Sequence, residues 1–258
     1  MLKSVLKIAL GFYFILLLIV WLSPIAFIAI DLNSFLSDLA CAITNSGGKY
    51  YVVVITALTA FVFAYRSHLD KHLFMKFLKQ FTILFLMLAF FALMNEFGIK
   101  RLAQFTRPSH AYVFAHSNTK INIQEFYQLD FRERQAQLKK MIDSSEFIHT
   151  HVAEKVRNHW IEEAGYSFPS GHTFNAFLLA TVLSFSIKRS RMLHFNKYYF
   201  VPFIWAAAIG VSRVALGAHT ALDVSFGAAM GILMASVLLY FEFSRNFILH
   251  SQSSKNHF

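Results

Sequence analysis

Runs of apolar residues separated by short charged connections dominate the chain from end to end. Six of them approach the roughly 20 residues that a helix needs to cross a ~30 Å hydrocarbon core. They cover about 8–30, 50–65, 81–99, 173–187, 199–216 and 221–243. The second and fourth are short, and the fourth opens on polar residues. The first follows Lys3 and Lys7, as a signal peptide would, yet it is too long for such a segment's apolar core. It also lacks a small-residue cleavage site and so reads as a retained anchor. The pattern predicts an all-α chain: a six-transmembrane-helix bundle forming a single domain over 1–258, without internal repeats or linkers.

The connection between the third and fourth spans, residues 100–172, is far longer than the others. Long connections of this kind carry function when a rigid scaffold holds them. Within it Ile148, Val152, Val156 and Trp160 recur at every fourth position, with Glu154, Lys155 and Arg157 opposite, which is a helical stripe. An earlier helix is expected over about 124–141, from Phe126, Tyr127, Leu138 and Met141 among many charges. These helices either pack on one another or lie on the bilayer surface and guide a lipid towards a site.

Composition strengthens the membrane reading. Apolar residues make up 56% and charged residues 15%, and mean hydropathy is +0.48, against about 25% charged in soluble domains. The single Cys (Cys41) excludes an internal disulfide or a cysteine-built metal site. The net charge of +10 is explained by topology. With six spans both termini share one side, and that side collects Lys3, Lys7, Arg66, Lys71, Lys76, Lys79, Lys188, Arg189, Arg191, Lys197, Arg245 and Lys255. The short connections opposite hold only Lys49. The positive-inside rule then makes both termini cytoplasmic. Nucleic-acid binding is not needed to account for the charge, which also suits anionic lipid headgroups.

Three clusters at the outer ends of the spans carry chemistry. The first is Lys100 and Arg107, followed by Pro108. They are seven residues apart, about two helical turns, with Glu96 placed to orient Lys100 by an i,i+4 pair. The second is Pro169-Ser170-Gly171-His172, which suits a helix entrance with a Ser cap and free N–H groups for an anion. The third is Ser212-Arg213, then His219 and Asp223, where the carboxylate can fix the imidazole tautomer. Taken alone, each is compatible with an ordinary helix end, cap or structural pair. Jointly they describe a phosphoryl-transfer site. Lys100, Arg107, Arg213 and the Ser170 and Gly171 amides surround the phosphoryl oxygens. His219 attacks phosphorus to give a phosphohistidine, and His172 protonates the leaving oxygen. This requires no metal and no cofactor. His149 and His151 are expected to face solvent.

Written as K-x6-R-P, P-S-G-H and S-R-x5-H-x3-D, the clusters resemble the signature of the type 2 phosphatidic acid phosphatase (PAP2) superfamily at every position. Glu125-Phe126-Tyr127 and the stretch from Asn158-His159-Trp160 to Gly165-Tyr166 resemble its phosphatidylglycerophosphatase B branch. The resemblance implies a six-helix enzyme of the bacterial inner membrane with its site at the periplasmic face. It implies activity on lipid phosphates such as phosphatidylglycerol phosphate and undecaprenyl pyrophosphate. It also implies His219 as nucleophile, Asp223 as its partner and His172 as acid/base. Lys100, Arg107, Ser170, Gly171 and Arg213 would hold the phosphate. The expected partners are a lipid phosphate substrate and membrane lipids, with no nucleic acid and no obligate protein partner. Other readings are a dedicated undecaprenyl pyrophosphate phosphatase, a lipid A phosphatase or phosphotransferase, and a small membrane transporter. The last would need midplane charges and internal repeats, and neither is present. A soluble vanadate-dependent haloperoxidase with the same site is excluded by the six apolar runs.

Overall fold

The computed structural model describes residues 1–22, 31–65, 72–189 and 196–255, the side chains of 196 and 242–255 excepted. The end of the first expected span (23–30) and the cations Arg66, Lys71 and Arg191 lie outside the described residues. Every regular element among the described residues is helical. In chain order they are α1 (Leu2–Leu22), α2 (Phe35–Ser46), α3 (Lys49–Ala64) and α4 (Leu73–Met94), then a π-helical turn at Asn95–Ile99 leading into α5 (Lys100–Ala103). The outer connection holds α6 (Pro108–Ala115), α7 (Ile123–Gln128), α8 (Phe131–Asp143), α9 (Glu146–His151) and α10 (Glu154–Glu162). The chain ends with α11 (Gly171–Arg189), α12 (Val201–Ala215) and α13 (Ala221–Lys255).

Among the described residues, three helices are long and apolar enough to cross a membrane, Leu2–Leu22, Leu73–Ala103 and Ala221–Phe241. A fourth span arises if α2 and α3, which meet at a 54° bend, act as one. The sequence pattern does not reveal α2, which packs against α12 and α10. α11 spans 19 residues, about 28 Å at 1.5 Å per residue, and is sheathed by α13, α12, α3 and α1. Its lower hydropathy follows from that position, because it faces protein rather than lipid. Thr181 and Ser186 bond the carbonyls of Phe177 and Val182 at 2.7 Å each, so these two hydroxyls are satisfied within the helix. The outer faces of α1 and α4, by contrast, expose Phe14, Leu18, Trp21, Leu86 and Phe90. Exposed apolar side chains of that size suit lipid.

The α11–α13 contact depends on small residues. A Cβ on Gly227 would stand 2.5 Å from the Ser170 carbonyl oxygen, and one on Gly231 would stand 2.5 Å from that of Phe174. The four-residue spacing brings both glycines to one face and allows the backbones this approach.

The outer connection builds its own core. Ile148, Val152, Val156 and Trp160 are fully buried with Phe126, Leu138 and Val113. Of the two expected arrangements, the structure has the helices packed on one another. The expected single helix over 124–141 is in fact two. It is interrupted because Asp130 caps α8, its carboxylate accepting from Glu133 N–H at 2.8 Å while Glu133 accepts from Asp130 N–H at 3.0 Å. That reciprocal arrangement starts a new helix. The stripe from 148 to 160 is likewise shared by α9 and α10. Trp160 Nε1 donates to the Leu216 carbonyl at 2.7 Å and Ser109 N–H to that of Gly217 at 2.8 Å. The cap is thus bonded to the turn between α12 and α13, where Gly217 takes φ 66°, a conformation open to glycine.

Candidate active site

That turn carries His219, and the elements around it bring all eight expected site residues to one end of the bundle. Ala218 and His219 N–H both donate to the Arg213 carbonyl, at 3.1 and 3.2 Å, which folds the S-R-x5-H segment back on itself. Thr220 and Asp223 then start α13: Thr220 N–H donates to Asp223 Oδ2 at 2.7 Å and Asp223 N–H to Thr220 Oγ1 at 3.2 Å. His219 therefore precedes the helix rather than sharing its face with Asp223. Its Nδ1 still lies 3.4 Å from Asp223 Oδ2, a distance that catalytic pairs without substrate often show. Arg107 Nη1 approaches His219 Nε2 at 3.4 Å. A donor on that side assigns the proton to Nδ1, with the Nε2 lone pair accepting from Arg107. Burial, then Arg107 and Arg213, holds His219 well below its ordinary pKa, so the ring is neutral.

Arg107 reaches this place by a route different from the expected one. The helix does not persist from Lys100 to Arg107. α5 ends at Gln104, with φ 53°, and Arg107 is extended at the head of α6, where Pro108 opens the helix. Its fully buried guanidinium donates to the carbonyls of Gly165 (2.8 Å), Ala218 (2.6 Å) and Tyr166 (3.2 Å). Lys100 stays at the end of the long helix and pairs with Glu96 at 2.8 Å, the i,i+4 contact expected from the sequence. A Cβ on Gly165 would be 4.0 Å from Lys100 Nζ, so Lys100 and Arg107 flank the same glycine.

The P-S-G-H segment forms the entrance of α11. Ser170 Oγ lies 2.9 Å from Thr173 Oγ1 and accepts from Thr173 N–H at 3.4 Å, as a capping serine does. Asn95, in the π-helical turn, donates to the Pro169 carbonyl at 3.3 Å. The N-termini of α11 and α13 thus converge on the cluster, and both contribute positive dipole ends.

Glu163, which the motifs do not include, occupies the centre. Its two carboxylate oxygens pair with Arg107 Nη2 at 2.8 Å and Arg213 Nη2 at 2.9 Å, and Oε1 lies 3.9 Å from His172 Nδ1. Burial opposes its ionisation, but Arg213 and Arg107 outweigh it and hold the carboxyl well below the usual range. His159 accompanies it, with Nε2 2.9 Å from Arg213 Nη1. Burial and then Arg213 lower its pKa to about 4, so it stays neutral and accepts from the guanidinium. No spacing rule marks Glu163; the only sequence signal is an acid nine positions before His172.

A cavity of about 820 Å3 opens beside this cluster, lined among others by Lys100, Arg107, Glu163 and Tyr166. His172, Arg213 and His219 do not line it. The Arg107–Glu163 pair is where cavity and histidine cluster meet. No group of three or more His, Cys, Asp or Glu suited to a metal occurs among the described residues, and His149 and His151 are exposed on α9.

Comparison with known proteins fits this geometry. The chain is 34% identical over 97 residues to phosphatidylglycerophosphatase B of Bacillus subtilis, covering 32% of this chain and 48% of that protein. It is 28% identical over 151 residues to phosphatidylglycerophosphatase B of Escherichia coli K12, covering 57% and 55%. The Haemophilus influenzae protein of the same name is 29% identical over 146 residues, covering 56% and 58%. The chain thus spans about half the length of the curated relatives it matches. The PAP2 superfamily profile matches residues 80–247, which is more than half of the chain and includes all eight motif residues. The chain belongs to the PAP2 superfamily.

Proposed function

We propose that the chain is a multi-pass lipid phosphatase of the bacterial inner membrane that works through a phosphohistidine. The observation that carries the proposal is the carboxylate of Glu163 held between Arg107 and Arg213 beside His172. An anion already stands between the two guanidiniums, which supports reading the pocket as one for a phosphoryl group. Substrate phosphate displaces it and takes over Arg107 and Arg213, with Lys100 and the Ser170 and Gly171 amides completing the shell.

The neutral Nε2 of His219 then attacks phosphorus as the bond to the leaving oxygen breaks, and Asp223 stabilises the imidazolium that forms. The departing oxygen keeps the bonding pair and takes a proton from His172. In the second half, water attacks the phosphohistidine while His172 accepts its proton, and the P–N electrons return to Nε2. The fixed cations supply the charge stabilisation that a metal gives elsewhere, so EDTA leaves turnover unchanged.

The proposed topology has six spans, with α2–α3 as one, α11 and α12 as inner members, both termini cytoplasmic and the site periplasmic. The proposed substrates are phosphatidylglycerol phosphate, as the names of the relatives suggest, and undecaprenyl pyrophosphate. Phosphate release by the purified protein from each lipid, with EDTA present, tests the reading. His219→Ala should abolish both turnover and the acid-labile phosphoenzyme, and normal turnover in that variant would refute it.

A further inference from the structure

Lys100, Arg107 and Arg213 suffice for one phosphoryl group, yet the cavity beside them holds two further arginines, Arg101 and Arg134. Arg134, on α8, is set against aromatic rings. Its Cζ lies 5.9 Å from the ring centroids of Tyr127 and Tyr166 and 6.0 Å from that of Phe131. Tyr127 and Tyr166 are stacked 4.4 Å apart at 8°, and they are the residues that also hold Arg107. Tyr127 Oη accepts from the Arg107 backbone N–H at 3.1 Å, and the Tyr166 carbonyl accepts from its Nη2 at 3.2 Å. One aromatic stack therefore separates Arg134 from an arginine of the phosphate site.

Arg134 lacks the acceptors that its burial calls for. Its Nε and Nη1 are buried without a hydrogen-bond partner, an unfavourable state for a charged donor. The acids nearest in sequence, Asp130 and Glu133, are occupied in capping α8. Arg101 stacks on Phe97 at 5.3 Å across the same cavity. Two arginines with planar forks, facing one cavity and backed by rings, are suited to a phosphate oxygen pair.

We propose that Arg134, assisted by Arg101, forms a second anion subsite that binds a second phosphate of the same lipid while the first lies on Lys100, Arg107 and Arg213. The proposal rests on the phosphatase reading and deepens it. The second phosphate is either a phosphodiester joined through glycerol or the lipid-linked phosphate of a pyrophosphate. Neighbouring phosphates of a pyrophosphate share one oxygen, whereas glycerol places a three-carbon bridge between them. The aromatic stack between Arg107 and Arg134 fits the longer bridge better.

The test compares kcat/KM of the purified full chain for phosphatidylglycerol phosphate, undecaprenyl pyrophosphate and phosphatidate, which carries one phosphate. In Arg134→Leu the ratio of phosphatidylglycerol phosphate to phosphatidate should fall about tenfold, mainly through KM. An equal fall for undecaprenyl pyrophosphate would assign the subsite to both kinds of second phosphate. An unchanged ratio, including equal loss on all three lipids, overturns the proposal and leaves Arg134 a structural role. If Arg134→Leu does not fold, Arg134→Lys carries the comparison. It removes the planar fork, so the ratio must still fall at least threefold. A wild-type protein that releases phosphate from none of the lipids would instead refute the phosphatase reading itself.

Discussion

Ser170 donates its backbone N–H to the carbonyl oxygen of Asp223 at 3.1 Å, joining the entrance of α11 to the first turn of α13. Two motifs 53 positions apart are thereby held in register by main chain alone. Gly227 makes the approach feasible, since its missing Cβ would collide with the Ser170 carbonyl. Overpacking a tight contact costs about 1–3 kcal/mol, and here the displaced atoms are backbone atoms of the proposed phosphate-binding segment. Gly227→Ala is therefore expected to lower the melting temperature by several degrees and to reduce kcat more than tenfold. Circular dichroism melts and steady-state kinetics on the same sample would check both effects, and wild-type kcat would show that the close approach has no catalytic consequence.

Glu163 presents opposing demands on stability and binding. It pairs with both Arg107 and Arg213, which are fully buried, and breaking a buried pair costs on the order of 3 kcal/mol. In the proposed mechanism the same carboxylate competes with phosphate for those guanidiniums. Glu163→Gln should melt earlier than wild type, bind orthophosphate about tenfold more tightly as a competitive inhibitor, and recover its melting temperature when phosphate is added. Weaker phosphate inhibition in the variant would contradict the displacement step.

Asp223 is expected to act through His219. Replacing it with Asn removes the charge that stabilises the imidazolium and offers a donor where Nδ1–H needs an acceptor. kcat should fall about a hundredfold or more, within the range that acid–base orientation contributes, while the inhibition constant for orthophosphate changes less than threefold. Stopped-flow trapping of the phosphoenzyme should show slower formation. Equal losses in kcat and phosphate affinity would point to a role in holding phosphate.

Buried histidines link stability to pH. Burial is the largest cause that lowers His110, His159 and His219 from the ordinary 6.5, followed by Arg107, Arg213 and Arg107 respectively. Below pH 6.5 the unfolded chain binds protons at these positions while the folded chain does not. Stability must therefore fall as pH drops from about 6.5 towards the value of about 4 held by His159. Glu163, held below its usual range, adds a loss in the same direction at still lower pH. Melting in detergent should be constant between pH 7 and 8 and decline steadily below 6.5; a melting temperature that rises on acidification would reverse the sign.

Much of this protein is determined locally, and that part is legible in the sequence. Apolar runs mark the long helices, because lipid-facing surfaces need no partner to explain them. The break between α7 and α8 is written in Asp130-x-x-Glu133, a local capping signal that hydrophobic spacing alone overlooks. The residue types of Lys100, Arg107, Ser170, Gly171, His172, Arg213, His219 and Asp223 suggest the proposed chemistry from sequence, because phosphate demands cations, amides and a nucleophile.

What the tertiary structure decided depends on contacts distant along the chain. Arg107 enters the site through a left-handed residue at Gln104 and an extended segment rather than along a continuous helix, since it must reach carbonyls of Gly165 and Ala218. α11 becomes the central helix because four others surround it, which its own composition does not announce. Glu163 and Arg134 carry no motif at all. An acid or an arginine in a loop looks the same in sequence whether it faces water or a buried counterpart. Only the folded chain places Glu163 between two guanidiniums and Arg134 on a tyrosine stack beside the same cavity.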